Sequence, residues 1–147
     1  MVLLTLGTGI GGGIILGDLI VDGEHSHGSE CGHIVIDFSP QARRCNCGKF
    51  GHLEPYASAN GVIATTREML AGGRASSITA RLEAGEELTP KLVGREAAAG
   101  DAVATEVVLQ TARYLGIGIA TVCNVIDPAA VILGGAMNFG GAEAPLG

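Results

Sequence analysis

Two short apolar runs open the chain, Val2–Leu6 and Gly13–Leu16, and the residues between them, Gly7–Gly12, are mostly glycine. Apolar runs bounded by turn residues read as strands, so the pattern predicts a hairpin with a glycine-rich connection. Further short strands are predicted over Leu19–Val21 and Ile34–Ile36. From Pro40 to Gly51 the sequence turns to Arg, Cys, Gly and Asn, which is loop chemistry. Helical periodicity begins near Ala57 and runs to about Leu70, where Gly72 and Gly73 stop it. Two short helices are expected near Ser76–Glu83 and Pro90–Ala99. Thr89 would cap the second, with proline at its first helical position.

The longest helix is expected from about Asp101 to Val125. Val108, Ala112, Leu115, Ile119, Val122 and Ile126 recur at spacings of 4 and 3 along one face. Apolar residues fill much of the remainder, so the helix reads as central and largely buried. Gly116 and Gly118 each cost about 1 kcal/mol inside a helix, a cost that close backbone packing against a sheet would offset. Asp127-Pro128 ends the helix. Ala130–Leu133 then reads as a short buried strand closed by Gly134-Gly135. Strands, then helices, then a strand returning to the first sheet make an α/β layered unit with its ligand at the strand ends. There is no internal repeat. The chain starts inside a strand and ends in a Gly/Ala/Pro tail, so a single unit over 1–147, truncated at both ends, is expected.

Composition narrows the class. The 147 residues are 47% hydrophobic and 16% charged, which excludes a disordered chain. The 24 glycines follow no Gly-X-Y period and proline is scarce, so collagen and linker readings fail. A net charge of −6, with 3 Phe, 2 Tyr and no Trp, argues against nucleic-acid binding by this segment. The opening apolar stretch lacks a basic flank and is broken by Thr5, Thr8, glycines and Asp18. It is neither a signal peptide nor a membrane span. The 4 cysteines, Cys31, Cys45, Cys47 and Cys123, are a poor disulfide framework without a secretory signal, and a cytoplasmic protein is expected.

Three groups of residues carry candidate chemistry. Leu6–Gly13 (LGTGIGGG) is either a plain hairpin turn or a phosphate cradle, in which amides unobstructed by Cβ atoms converge on an anion. A strand follows it rather than a helix, and no Gly-Lys-Ser/Thr is present, so it is neither a Rossmann nor a Walker loop. His33, Cys45, Cys47 and His52 can close a tetrahedral zinc site of two thiolates and two imidazoles, in a loop of about residues 33–54. The alternative leaves the two cysteines as exposed thiols. Cys31 reads as a packing residue, and His25 and His27 as exposed loop histidines. Glu30, His33 and Glu54 could accept several hydroxyl hydrogen bonds, which suits a polyol such as a sugar. Singly, each glutamate reads as a solvated charge, or for Glu54 as a carboxylate at a helix N-terminus.

Together these motifs resemble the C-terminal part of the ROK-family sugar kinases, in closest likeness to bacterial glucokinases. Leu6–Gly13 is similar to the family's second phosphate motif. Gly28–His33 (GSECGH) resembles its G-E-x-G-H element, and Cys45–Glu54 (CNCGKFGHLE) its C-x-C-G-x-x-G-C-L-E element. Leu115–Gly118 and Pro128–Gly135 (PAAVILGG) resemble its long helix and adenosine-side strand. The resemblance implies an actin/hexokinase-like (ribonuclease H-like) ATPase fold, of which this is most of the C-terminal lobe, and a homodimer. It implies sugar binding by Glu30, His33 and Glu54, and ATP binding with Mg²⁺ by Gly7, Thr8, Gly9, Gly11, Gly134 and Gly135. A structural Zn²⁺ would sit on His33, Cys45, Cys47 and His52. Two positions depart from the family pattern: His52 replaces a cysteine, and Ser29 replaces the glycine before Glu30. No residue here matches the family's catalytic aspartate, so the base is expected outside the segment. The implied activity is ATP-dependent phosphorylation of glucose to glucose 6-phosphate. The alternative is the sugar-sensing domain of a ROK transcriptional repressor.

Overall fold

The computed structural model describes residues 1–137, so the expected Gly/Ala/Pro ending lies outside the described residues. Strands β1 (Val2–Leu6) and β2 (Ile10–Leu16) form an antiparallel hairpin in register from Val2↔Ile14 to Leu6↔Ile10. Its turn is therefore only Gly7-Thr8-Gly9, and Gly11–Gly13, expected in the turn or at the strand's edge, lie in the ladder. Glycine has both backbone hydrogen-bonding groups, so a glycine run can pair as a strand. At Gly12 the missing side chain is also required. A Cβ on Gly12 would run into the Ser29 carbonyl and lie 2.7 Å from Cys31 Sγ.

Strand β3 (Leu19–Ile20) extends the hairpin, and β4 (Val131–Gly134) adds parallel to β1, giving the order β3-β2-β1-β4. In β1 the alternate residues Val2, Leu4 and Leu6 are buried while Leu3 is exposed, so one sheet face carries the core. Strand β4 is only half-buried, contrary to expectation: Ile132, opposite Leu3, is 45% exposed on the other face.

The helix expected from Ala57 is divided into α1 (Glu54–Ala57) and α2 (Ala59–Ala71). Ser58 between them is extended, and its hydroxyl caps α2 by accepting from Gly61 N–H. Helices α3 (Ser77–Glu83), α4 (Pro90–Ala98) and α5 (Ala102–Ile126) begin at Ser76, Thr89 and Asp101, whose side chains each accept a first-turn N–H. The predicted strand over Ile34–Ile36 is not one. It makes a single bridge, Val35↔His52, and Ile34 carbonyl accepts from Leu53 N–H at 2.8 Å.

The buried face of α5 is Val103, Ala104, Val107, Val108, Thr111, Leu115, Gly118 and Val122. Thr111 takes the place expected for Ala112, because its hydroxyl is satisfied by Val107 carbonyl at 2.8 Å and can be buried. Gly118 is a close-packing position, though against a side chain rather than a sheet: a Cβ there would meet Leu53 Cδ2. Gly116 is exposed, and a Cβ there would meet nothing within 4 Å beyond its own helix turn, so no close packing offsets its cost. One contiguous apolar cluster joins the β1 core face to α2, α4 and α5, with Leu53 within it. Among the described residues no helix is long and apolar enough to cross a membrane.

Candidate metal loop and phosphate-binding turn

The chain leaves the sheet through a single 3₁₀ turn, Cys31–His33, and returns at His52-Leu53, which run beside Ile34–Ile36. That pairing brings His33 next to His52, with ring centroids 5.0 Å apart. Between them the chain folds back sharply: Cys45 N–H donates to Lys49 carbonyl at 2.7 Å, and Gly48 N–H to Cys45 carbonyl at 2.9 Å. Gly51 is at φ 74°, and a side chain there would strike the Asp37 carbonyl, so only glycine fits.

These folds gather one donor atom from each of His33, Cys45, Cys47 and His52 within 4.8 Å of one another. Cys47 Sγ and His52 Nδ1 are 3.3 Å apart. Bonds of about 2.0–2.3 Å in a tetrahedral zinc site put donors about 3.3–3.8 Å apart, so the set fits zinc after a small contraction. Burial, with His33 alongside, holds His52 below the ordinary histidine value and favours the neutral, ligating imidazole. Burial pushes the Cys45 thiol up, helped by Cys47 and Glu54, so without a cation the pocket favours the uncharged thiol.

Arg43 braces the loop against α1 and α2. Its guanidinium donates to Pro55 carbonyl and Thr65 Oγ1 at 3.0 Å each and to Glu68 Oε2 at 2.6 Å. It also lies 4.9 Å over the Tyr56 ring. Tyr56 hydroxyl accepts Arg43 N–H at 2.7 Å and donates to Asp37 Oδ2 at 2.6 Å. Burial and that bond to Asp37 push the phenol up to about 12, and the same bond lowers the Asp37 carboxyl.

The glycine turn is held from one side by the helices that follow the loop. Gly7 carbonyl accepts Ala59 N–H at 2.8 Å, and Glu54 Oε2 accepts Ile10 N–H at 3.0 Å. At the tip, Thr8 N–H and Gly9 N–H have no acceptor among the described residues. Glu54 is where two cavities meet. One, of 360 Å³, is lined by Gly7, Gly9, Ile10, Gly11 and Gly135 besides Glu54. The other, of 340 Å³, is lined by Thr8, Arg44, Asn46, Glu54, Ser58 and Asn60 among others. Gly135 is at φ 99°, where a Cβ would strike the Leu6 backbone, while Gly134 sits in β4 opposite Thr5.

Of the residues singled out from sequence, His33 is a member of the candidate metal cluster and Glu54 borders it; Cys45 Sγ lies 3.8 Å from Glu54 Oε1. Glu30 instead lines a separate groove of 240 Å³ with Ile14, Cys31, Ile34 and Val122. Cys31 is buried against Gly12, as a packing residue should be. Ser29, at φ 65°, occupies the left-handed conformation that glycine favours, and its hydroxyl donates to Val21 carbonyl at 2.7 Å. Sequence reasoning missed Arg43 and Ser58. Arg43 had no periodic signal, whereas Ser58 followed by Asn60-Gly61 could have been read as a helix cap.

The sequence profile of the ROK family matches residues 1–141. A glucokinase of Halalkalibacterium halodurans is 38% identical over 141 residues, covering 96% of this chain and 42% of that protein. A xylose repressor of Caldicellulosiruptor bescii is 30% identical over 141 residues, covering 96% of this chain and 35% of that protein. A ROK family glucokinase structure from Streptomyces griseus, in complex with glucose and AMPPNP, superposes with a TM-score of 0.76 at 31% identity. It covers 91% of this chain and 43% of that one. The chain thus spans less than half the length of these relatives. The fold is the mixed α/β, actin/hexokinase-like ATPase fold of the ROK kinases, present in part. By the match over nearly its whole length, the chain belongs to the ROK family.

Proposed function

We propose that this chain supplies the phosphate-binding turn, the metal loop and part of the sugar pocket of an ATP-dependent hexose kinase, with glucose as acceptor. The observation that carries the reading is the pair of amides, Thr8 N–H and Gly9 N–H, that have no acceptor among the described residues and lie at a turn adjoining the Glu54 carboxylate. Free amides suit a phosphate, and a carboxylate beside them suits a sugar hydroxyl. The glucokinase relatives, one of them crystallised with glucose and AMPPNP, support the same pairing of ligands.

In the reaction the sugar hydroxyl oxygen bonds to the γ-phosphorus of ATP, the bond from that phosphorus to the bridging oxygen breaks, and ADP leaves with its electron pair. The Thr8 and Gly9 amides would hold phosphate oxygens, and Glu54 would orient the sugar. His33, Cys45, Cys47 and His52 would hold a structural zinc. Magnesium bound with ATP supplies neutralisation of the phosphate charge. His33, as a metal ligand, is not free to take the hydroxyl proton, and we assign the base to a residue outside these 147. Cytoplasmic location and a homodimer belong to the same proposal and rest on the family resemblance.

The second reading is a sugar-sensing repressor domain, favoured by the 30% identity to a xylose repressor. A sensor has no use for amides poised on a nucleotide. The coding sequence immediately upstream of Met1 separates the two. An in-frame D-x-G-G-T with a later Asn-Asp pair is expected, and the protein including it should turn over glucose and MgATP in a coupled assay. An in-frame helix-turn-helix pattern without that phosphate motif would overturn the kinase reading. The 147-residue chain by itself is expected to show no turnover.

A further inference from the structure

A three-residue turn with glycine at both ends has little intrinsic reason to hold its amides in one direction. Beyond its one internal bond, from Gly7 N–H to Gly9 carbonyl at 3.0 Å, the turn Gly7-Thr8-Gly9 is tied down by the first residues of the two helices after the candidate metal loop. Ala59 N–H, opening α2, takes Gly7 carbonyl at 2.8 Å, and Glu54, opening α1, takes Ile10 N–H on Oε2 at 3.0 Å. A bond from a backbone amide to a carboxylate is about twice as strong as a neutral one. The fit is specific: a side chain on Gly9 would collide with Glu54 Oε2. Glu54 Oε1, with the Cys45 thiol at 3.8 Å, remains available to another donor.

We infer that Glu54 is the positioning residue of the phosphate-binding turn, and that through its two oxygens it couples sugar occupancy to nucleotide affinity. This rests on the kinase reading above. One oxygen holds the turn, and the other takes a sugar hydroxyl at the junction of the two cavities. A hydroxyl on Oε1 restrains the carboxylate, which restrains Ile10 and hence the Thr8 and Gly9 amides. Sugar and nucleotide then strengthen each other's binding by the same factor.

The test reads Ile10 amide hydrogen exchange together with Mg·AMPPNP affinity, with and without glucose, in wild type, Glu54→Gln, Glu54→Ala and Gly9→Ala. Glu54→Ala is expected to speed Ile10 exchange at least about tenfold and to weaken AMPPNP by a similar factor, the effect of losing a bond to a charged acceptor. Glu54→Gln keeps a carbonyl acceptor, so Ile10 stays slow and AMPPNP still binds, but glucose no longer enhances it. If Glu54→Ala leaves both Ile10 exchange and AMPPNP affinity at wild-type values, the inference is overturned. Should Glu54→Ala not fold, Gly9→Ala displaces the carboxylate from the other side and must give the same two changes. If the wild type binds no AMPPNP while its Ile10 exchange still depends on Glu54, the kinase reading fails and the coupling with it, and the tether alone survives.

Discussion

The metal loop and the helical block around α5 are held by different forces. In the block, Val93, Val103, Ala104 and Val107 are all at 1% exposure or less, and its one buried carboxylate, Glu96, is held by Ser77, Arg81 and Arg95, so the block needs no metal to be ordered. Across the loop between His33 and His52, Val35, Phe38 and Phe50 face solvent at 58%, 97% and 60%, and Cys45 is the one buried apolar residue there. The loop is held through Arg43, Tyr56 and Asp37, and four convergent side chains that could ligate a metal would cross-link it further. A segment that buries so little must be cross-linked, and a site built on it inherits that dependence.

The largest effect that would break this contrast is removal of the ligands. Cys45→Ser with Cys47→Ser, or chelation, is expected to bring amide exchange of residues 37–51 close to the unprotected rate while α4 and α5 stay protected. Equal loss in both regions would show that the block, too, depends on the metal. Next comes the junction. Leu53, at 0% exposure and fitted against Gly118, joins the loop to α5, and Leu53→Ala should cost about 2–5 kcal/mol in denaturant melts. A cost below about 1 kcal/mol would mean that the two regions barely communicate.

Arg43→Ala should cost about 1–3 kcal/mol, through the lost bonds to Pro55 and Thr65. Glu68 is 63% exposed and its ion pair contributes little, so Glu68→Ala serves as the control and should be nearly silent. The effect of pH follows from His52, which the fold holds below the ordinary value of 6.5, chiefly by burial. Below that value the unfolded chain takes up the proton more readily than the folded one. The contribution is therefore present above about pH 6.5 and is lost as pH falls from there through the folded value. Loop protection and metal retention should fall as pH is lowered below about 6.5 while α5 is unchanged; a flat profile would contradict this. The smallest effect is expected at Ser29→Gly, where relief of the φ 65° conformation offsets the lost bond to Val21. The melting midpoint should move by no more than a few degrees.

The sequence announced the helical block well, because Thr89-Pro90 and Asp101 are local capping signals and α5 is strongly periodic. It misjudged Gly11–Gly13, since a glycine run carries no apolar alternation and only the register with Thr5, Leu4 and Leu3 reveals a strand. It misjudged Ile34–Ile36 for the opposite reason: the apolar pattern is strand-like, but the partner is the return of the metal loop rather than a sheet edge. The four candidate ligands were legible as residue types at plausible spacing, and the fold brings their donor atoms within 4.8 Å of one another. The tether from Glu54 to Ile10 was not legible, because it spans 44 residues and depends on Gly9 lacking a side chain.

The most direct test of the account is a titration of the metal-loaded chain with Mg·AMPPNP, followed at the Thr8 and Gly9 amide resonances. Saturable shifts at those two amides and at Gly135, with α3 unmoved, are the predicted result. Glucose-induced shifts near His33 and Glu54, with none at Thr8 or Gly9 at any AMPPNP concentration, would contradict it and make the segment a sugar sensor.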